Sequence, residues 1–181
     1  MVYLFLANGF EEIEALCPLD LLRRAGVEVT TVGVNGAEYV MGAHGICVQT
    51  DIPDTMFRDS KPEMIILPGG MPGAKNLDES RVVDTALRTA ASSGAYLAAI
   101  CAAPMVLGHR GYLKNKRAIC FPGFETELEG AVIASERVVR DGNIITAAGM
   151  GVALEFGLAL VAALKNEKTA DELRRAVLAD K

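Results

Sequence analysis

Cys101 stands where an unbroken apolar run, Ala95 to Ile100, gives way to helical spacing over Ala102 to Leu107. An apolar run without alternation is what a strand buried on both faces of a parallel sheet requires, so the thiol lies at a sharp strand-to-helix junction. Its neighbours Ala99, Ala102 and Ala103 have almost no side chain to obstruct a tight turn. This is the layout of a nucleophile elbow with cysteine in place of serine. N–H groups at a helix start favour a thiolate there. The position also suits a cysteine that is only a small core hydrophobe. A second candidate, Glu14, ends the acidic stretch Glu11-Glu12-Ile13-Glu14. An acid at that point either complements a helix dipole or faces the thiol. A third is Gly69-Gly70, within Pro68-Gly69-Gly70-Met71-Pro72-Gly73-Ala74. Glycines at a strand end let backbone N–H groups approach a ligand closely, or serve as plain turn residues. No Gly-Lys-Ser/Thr follows them, so this is not a phosphate loop.

The elements that must position these residues alternate between strand and helix. Val2 to Ala7 reads as a buried strand, followed by an Asn8-Gly9 turn and a helix that closes at Arg23-Arg24-Ala25-Gly26. Acids in its first turn, bases in its last and glycine beyond are helix signals. Pro18 cannot donate to the Glu14 carbonyl, which puts Glu14 at a local distortion. Val27 to Val34 is a second strand; Glu38 to Met41 and Ile46 to Gln49 form a small hairpin outside the main sheet, with His44 in its turn. Met64 to Leu67 is a strand, Arg81 to Ser92 a helix stopped by Gly94, and Lys116 to Cys120 a strand before the Phe121-Pro122-Gly123 loop. Val138 to Arg140 and Ile144 to Thr146 bracket a hairpin turn at Asp141-Gly142-Asn143. Gly149-Met150-Gly151 opens a long apolar helix over Val152 to Leu164, too late in the chain for a dinucleotide fingerprint. Thr169-Ala170-Asp171-Glu172 caps a closing helix with Leu173, Val177 and Leu178 as its apolar stripe. With no linker or repeat, the expected fold is one α/β domain over 1–181, a mostly parallel sheet covered by helices. In such sheets ligands bind beyond the carboxyl ends of the strands, the edge that Glu14, Gly69-Gly70, Cys101 and Phe121-Pro122 all follow.

Composition narrows the function classes. Of 181 residues 51% are hydrophobic and 23% charged, which excludes disorder. A net charge of −5 without a basic run argues against nucleic acid or an anionic membrane as partner. No apolar run approaches the ~20 residues that span a bilayer, and the opening lacks the basic region of a signal peptide, so a cytoplasmic location is expected. The four cysteines are scattered; Cys17, Cys47 and Cys120 read as structural thiols, and Cys120 borders the Phe121 loop. With only His44 and His109 available and no C-x-x-C, no metal or other cofactor is expected.

Gly9-Phe10-Glu11-Glu12-Ile13-Glu14, Leu67-Pro68-Gly69-Gly70-x-x-Gly73-Ala74, Ala98-Ala99-Ile100-Cys101-Ala102-Ala103-Pro104 and Gly149-Met150-Gly151 before Glu155-Phe156 together resemble the ThiJ/PfpI family, the superfamily of the Parkinson-associated deglycase. The order and spacing match over nearly the whole chain. The resemblance is nearest to the bacterial YajL/ThiJ-like branch, which also has phenylalanine before the proline at Phe121-Pro122. It implies a flavodoxin-like three-layer sandwich of the class I glutamine amidotransferase-like kind, with Cys101 as the reactive thiol and Glu14 as its carboxyl partner. It further implies an oxyanion pocket from the N–H groups of Gly70 and Ala102, with Gly69, Phe121, Pro122 and Gly149 lining the site. A homodimer is implied as well, with Arg23-Arg24 and the 38–49 hairpin as its contact segments.

Many relatives place a histidine beside the thiol, where this chain has Ala102 and Phe121. His109, eight residues along, would lie about 12 Å away on a continuous helix. A Cys-His triad within one chain is therefore not expected, which counts against peptidase and amidotransferase chemistry and leaves His44 of a partner subunit as a remote substitute. An ionised Glu14 would repel a thiolate, so the pair requires a protonated carboxyl and an ionised Cys101 that titrate together. The implied function is cofactor-free glyoxalase or deglycase-like chemistry on a small reactive carbonyl or a glycated adduct. The alternative is a non-enzymatic oxidative-stress sensor or redox-regulated chaperone that uses oxidation of Cys101.

Overall fold

The computed structural model describes residues 1–58 and 61–180. β1 (Val2–Leu6) leads into α1 (Glu12–Arg24) and then β2 (Val29–Gly33). A hairpin of β3 (Tyr39–Met41) and β4 (Cys47–Gln49) precedes β5 (Ile52–Pro53) and β6 (Met64–Leu67). Next come α2 (Gly73–Asp78), α3 (Arg81–Ser93), β7 (Tyr96–Ile100) and α4 (Pro104–Gly108). The chain closes with β8 (Arg117–Ala118), β9 (Val132–Ile133), β10 (Val138–Asp141), β11 (Ile144–Ala147), α5 (Ala153–Leu164) and α6 (Glu167–Ala176).

The main sheet has the order β10-β11-β7-β6-β1-β2-β5, and every pair in it is parallel except β10 with β11. Strand residues alternate between two cores, because successive side chains leave a strand on opposite faces. Tyr3, Phe5, Ile65, Leu67, Leu97 and Ala99 pack beneath α2, α3 and α4. Leu4, Leu6, Ile66, Ala98, Ile100 and Ile145 pack beneath α1, α5 and α6. Both faces are covered, which is why β1, β6 and β7 read as continuous apolar runs. The result is the expected three-layer α/β sandwich. Its strand order reverses between β1 and β6, so α1 and α2 leave neighbouring parallel strand ends toward opposite faces and open a crevice there.

The ends of α3 lie where the sequence places them. The Ser80 side chain accepts from the Val83 N–H, and Gly94 closes the helix at φ 74°. Elsewhere the structure corrects the sequence reading. α4 begins only at Pro104, after a turn over 101–103, and α2 and the edge strand β5 were not expected. The cap of α6 is Asn166, whose side chain accepts from Thr169 N–H, and Leu178 is 70% exposed, beyond the end of the apolar stripe. α1 passes through Pro18 as one helix. It lies against α5 at Gly157, where an added Cβ would stand 2.6 Å from Leu21 Cδ1 and 3.0 Å from Pro18 Cα. Leu21 can turn aside, but the Pro18 backbone cannot. Gly157→Val should therefore lower stability by about 1–3 kcal/mol, read as an earlier midpoint in urea unfolding. An unchanged midpoint would show that α1 is not seated at this point.

Candidate active site

Cys101 is a non-glycine residue held at φ 65°, in the left-handed region. That conformation costs on the order of 1–3 kcal/mol and persists only where the surroundings impose it. Here they do so from both sides. Its N–H donates to Ala147 O on β11 at 2.9 Å, and its carbonyl accepts from the Phe121 N–H at 2.8 Å. The strained turn points the thiol out of the sheet end, as a nucleophile elbow does.

Glu14 meets it from the first turn of α1 and is 0% exposed. Its Oε2 accepts from the Gly69 N–H at 3.0 Å. The other oxygen, Oε1, is buried and makes no hydrogen bond. Gly69 is the spacer between the two groups: an added Cβ would stand 2.6 Å from both Cys101 Cβ and Glu14 Oε2. The Gly69 carbonyl is fixed in turn by the Glu11 N–H at 2.9 Å. Gly70 holds φ 86° with no space for a side chain, since its Cβ would lie 2.3 Å from Glu11 N. That turn presents the N–H of Gly70 to the Cys101 sulfur, and the elbow presents that of Ala102.

Burial pushes the Glu14 carboxyl up to about 7, against partial compensation from Cys101 and the Gly69 N–H. Burial also pushes the Cys101 thiol up, to about 12, reinforced by the charge on Glu14 and opposed by the N–H groups of Gly70 and Ala102. The expected thiolate at a helix start needs correction here: α4 begins three residues too late to help, and burial outweighs the two N–H donors. The expected neutral Glu14 beside an ionised Cys101 is reversed as well, since the carboxyl gives up its proton near 7, before the thiol does. Both contributions of Glu14 to the rise vanish when its carboxyl carries the proton, and a protonated Oε would donate to sulfur. The two groups thus share their protons as one coupled system.

Phe121, Pro122 and Gly149 line one cleft of about 330 Å³ together with Arg137, Met150 and Val152. A Cβ at Gly149 would touch the Phe121 ring at 3.3 Å and lie 3.9 Å from Glu14 Oε1, so this cleft adjoins the pair. Arg137 and Met150 were missed in the sequence. The Gly149-Met150-Gly151 signal pointed only to a helix entry, which forms as a 3₁₀ turn over Met150–Val152.

Neither histidine is hydrogen-bonded to Cys101 or Glu14. His109 has Asp78 and Glu127 at its two ring nitrogens, each at 2.8 Å. His44 lies beside Glu12 at 2.9 Å and Glu11 at 3.2 Å, which with the His44 and Ile46 N–H groups holds the buried Glu12 carboxyl down at about 2. These contacts bring ligand atoms of Glu11, Glu12 and His44 within 4.8 Å of one another. All four cysteines are free; Cys120 is buried as expected, whereas Cys47 is exposed on the hairpin.

A model of the DJ-1/PfpI family matches residues 1–163. The Drosophila melanogaster protein dj-1beta is 35% identical over 175 residues, covering 96% of this chain and 94% of that one. The Caenorhabditis elegans protein named glutathione-independent glyoxalase DJR-1.2 is 34% identical over 174 residues, covering 93% and 91%. The solved structure of oxidised Toxoplasma gondii DJ-1 superposes with a TM-score of 0.94 at 34% identity, covering 98% of this chain and 97% of that one.

Two outcomes test the coupled pair. The folded-state value of Glu14 lies above its unfolded 4.5, so folding favours the protonated carboxyl. That advantage is complete below pH 4.5, falls as pH rises and is exhausted above about 7. Glu14→Gln, which stays neutral, should match the wild type near pH 4.5 and exceed it at pH 8 by about 3 kcal/mol at most. A stability difference independent of pH would overturn this. The thiolate absorbance of Cys101, read against Cys101→Ser, should rise only towards pH 12 in the wild type and at lower pH in Glu14→Gln, where the carboxylate charge is gone. An identical titration in both proteins would uncouple the two groups.

Proposed function

The chain belongs to the DJ-1/PfpI family, and on that footing we propose that it is a cofactor-free enzyme acting on small reactive carbonyls through Cys101 and Glu14. The observation that carries this reading is the buried carboxyl with its unpartnered Oε1, set one glycine away from a thiol on a strained turn. A carboxyl titrating at about 7 exchanges protons efficiently near neutral pH. The name carried by the nematode relative supports the same class.

With methylglyoxal the steps run as follows. Sulfur attacks the aldehyde carbon while the proton held by Glu14 passes to the aldehyde oxygen, giving a hemithioacetal and leaving Glu14 ionised. The N–H groups of Gly70 and Ala102 stabilise that oxygen as charge develops on it. Glu14 then removes the hydrogen on the same carbon as a proton, and the electron pair shifts onto the ketone oxygen to form an enediolate, which takes up the proton of the neighbouring hydroxyl. Glu14 returns its proton to the second carbon, giving a thioester of lactic acid and the ionised carboxyl again. Water hydrolyses it, releasing lactate and the free thiol. The sum is methylglyoxal plus water to lactate and a proton. A glycated adduct would enter by the same attack on its masked carbonyl.

A second reading uses the same thiol as an oxidation sensor or redox-regulated chaperone. Cys101 is part-exposed, and a protonated Glu14 could donate to a sulfinate. Lactate formation from methylglyoxal, abolished in Cys101→Ser and cut at least a hundredfold in Glu14→Gln, supports the first reading. A gain of two oxygens on Cys101 at low peroxide without such turnover would replace it with the second.

Phe121 ahead of Pro122 is our ground for the YajL-like branch. We take the functional unit to be a homodimer, because Ile13, Met41 and Ile46 are 49%, 46% and 53% exposed on α1 and the hairpin β3–β4. No described helix is long and apolar enough to cross a membrane. A cytoplasmic location is proposed from the four free thiols.

A further inference from the structure

Beyond the thiol pair, the cleft beside it has an unusual division of chemistry. Its walls are apolar: Phe121 is 49% and Met150 53% exposed, and they converge with Pro122 and Val152 on a space of about 330 Å³. That volume holds a substituted benzene ring with room to spare, the usual scale for a small-ligand pocket. One charged group closes it, Arg137. An Nη2 N–H of Arg137 donates to Gly151 O at 2.9 Å, which orients the guanidinium. Among the described residues no carboxylate pairs with it. Its neighbour Glu136 is engaged by Arg117, and Arg140 lies over the Tyr96 ring at 5.2 Å with a bond to the Tyr96 hydroxyl.

The opposite end of the cleft has the other sign. Gly149 borders the Glu14 carboxyl, and above pH 7 the Glu14–Cys101 pair carries a negative charge. Gly149, beside Glu14, and Gly151, whose carbonyl holds Arg137, are two residues apart, about 7 Å of chain at most, so both groups border the same cleft. An acidic group on a bound molecule is therefore repelled from the reacting end and attracted to the guanidinium end, where a planar fork of N–H donors matches a carboxylate.

We propose that Arg137 selects carbonyl compounds that carry an anionic group on the far side of an apolar body from the reactive carbonyl. This rests on the reading of Cys101 and Glu14 as the reacting pair, and it names the class of molecule that pair would receive. Arg137 acts here as a specificity-determining residue. It anchors the tail and has no part in the proton transfers.

The test is an equilibrium measurement, so it does not depend on turnover. Binding of 4-acetylbenzoate and of its neutral counterpart 4-acetylbenzamide is compared by calorimetry at pH 8. An exposed guanidinium–carboxylate contact is worth up to about fivefold in affinity, and salt screens it. We expect the wild type to prefer the acid by about that factor in low salt and to lose most of the preference at high salt. Arg137→Gln should bind the two equally, and Arg137→Lys should retain part of the preference. Equal binding of the two by the wild type, a preference that survives in Arg137→Gln, or binding of neither compound would each overturn the proposal. None of these outcomes bears on lactate formation from methylglyoxal, which has no acidic group, so the fate of the Cys101 reading is decided separately.

Discussion

A carboxyl group with no exposure to water, held by the Gly69 N–H and set against the Cys101 thiol, is the constraint on which the candidate site depends. Burying such a group without a full set of partners is costly when it is charged, and the carboxyl responds by keeping its proton to higher pH. The surrounding structure is arranged to hold it there. Gly69 must lack a side chain for carboxyl and thiol to share the space, and Glu11 must clamp the Gly69 carbonyl for the N–H to point at Glu14. Cys101 must accept a left-handed backbone for its sulfur to face the carboxyl, and Ala147 and Phe121 supply the two bonds that hold it so. A proton that neither group keeps alone is the product of this packing.

The sheet explains why these parts meet. Glu14 follows β1, Gly69 follows β6 and Cys101 follows β7, three parallel neighbours whose carboxyl ends open on the same edge. The strand order reverses between the first two, so α1 and the Gly69–Gly70 turn diverge around a crevice. The fourth contribution, Gly149 with the cleft behind it, comes from β11 on the other side of β7. Four segments far apart in sequence thus border one small space. The seat of α1 on Gly157 sets how deeply Glu14 enters it.

The absence of a histidine at Ala102 and Phe121 gives this arrangement its chemical character. A histidine would offer a second titrating group at neutral pH. Here the two histidines are held by acids elsewhere, and only the carboxyl exchanges protons with the sulfur. Phe121 instead builds an apolar wall, and the cleft behind it ends in a guanidinium, so charge is sorted along its length.

The sequence by itself determined the layers and which side chains follow neighbouring strand ends at the candidate site. Unbroken apolar runs at 2–6, 64–67 and 96–100 match strands covered on both faces, and Gly94 marks the end of α3 by local chemistry alone. Cys101, Glu14 and Gly69-Gly70 were legible because each follows such a strand. Only the tertiary structure decided the state of the pair and the shape of what lies beside it. Whether a thiol at a strand end is ionised depends on its burial and on which carboxyl stands next to it, and both are set by strands distant in sequence. The left-handed backbone of Cys101 is imposed by bonds to Ala147 and Phe121, not by its own preference. Arg137 and Met150 carry no local signature at all, since an arginine before a strand and a methionine between glycines look like any surface residues. Their place follows from the pairing of β11 with β7. Periodicity is a local property of a chain; proton affinity and a cleft wall are properties of neighbours that only folding brings together.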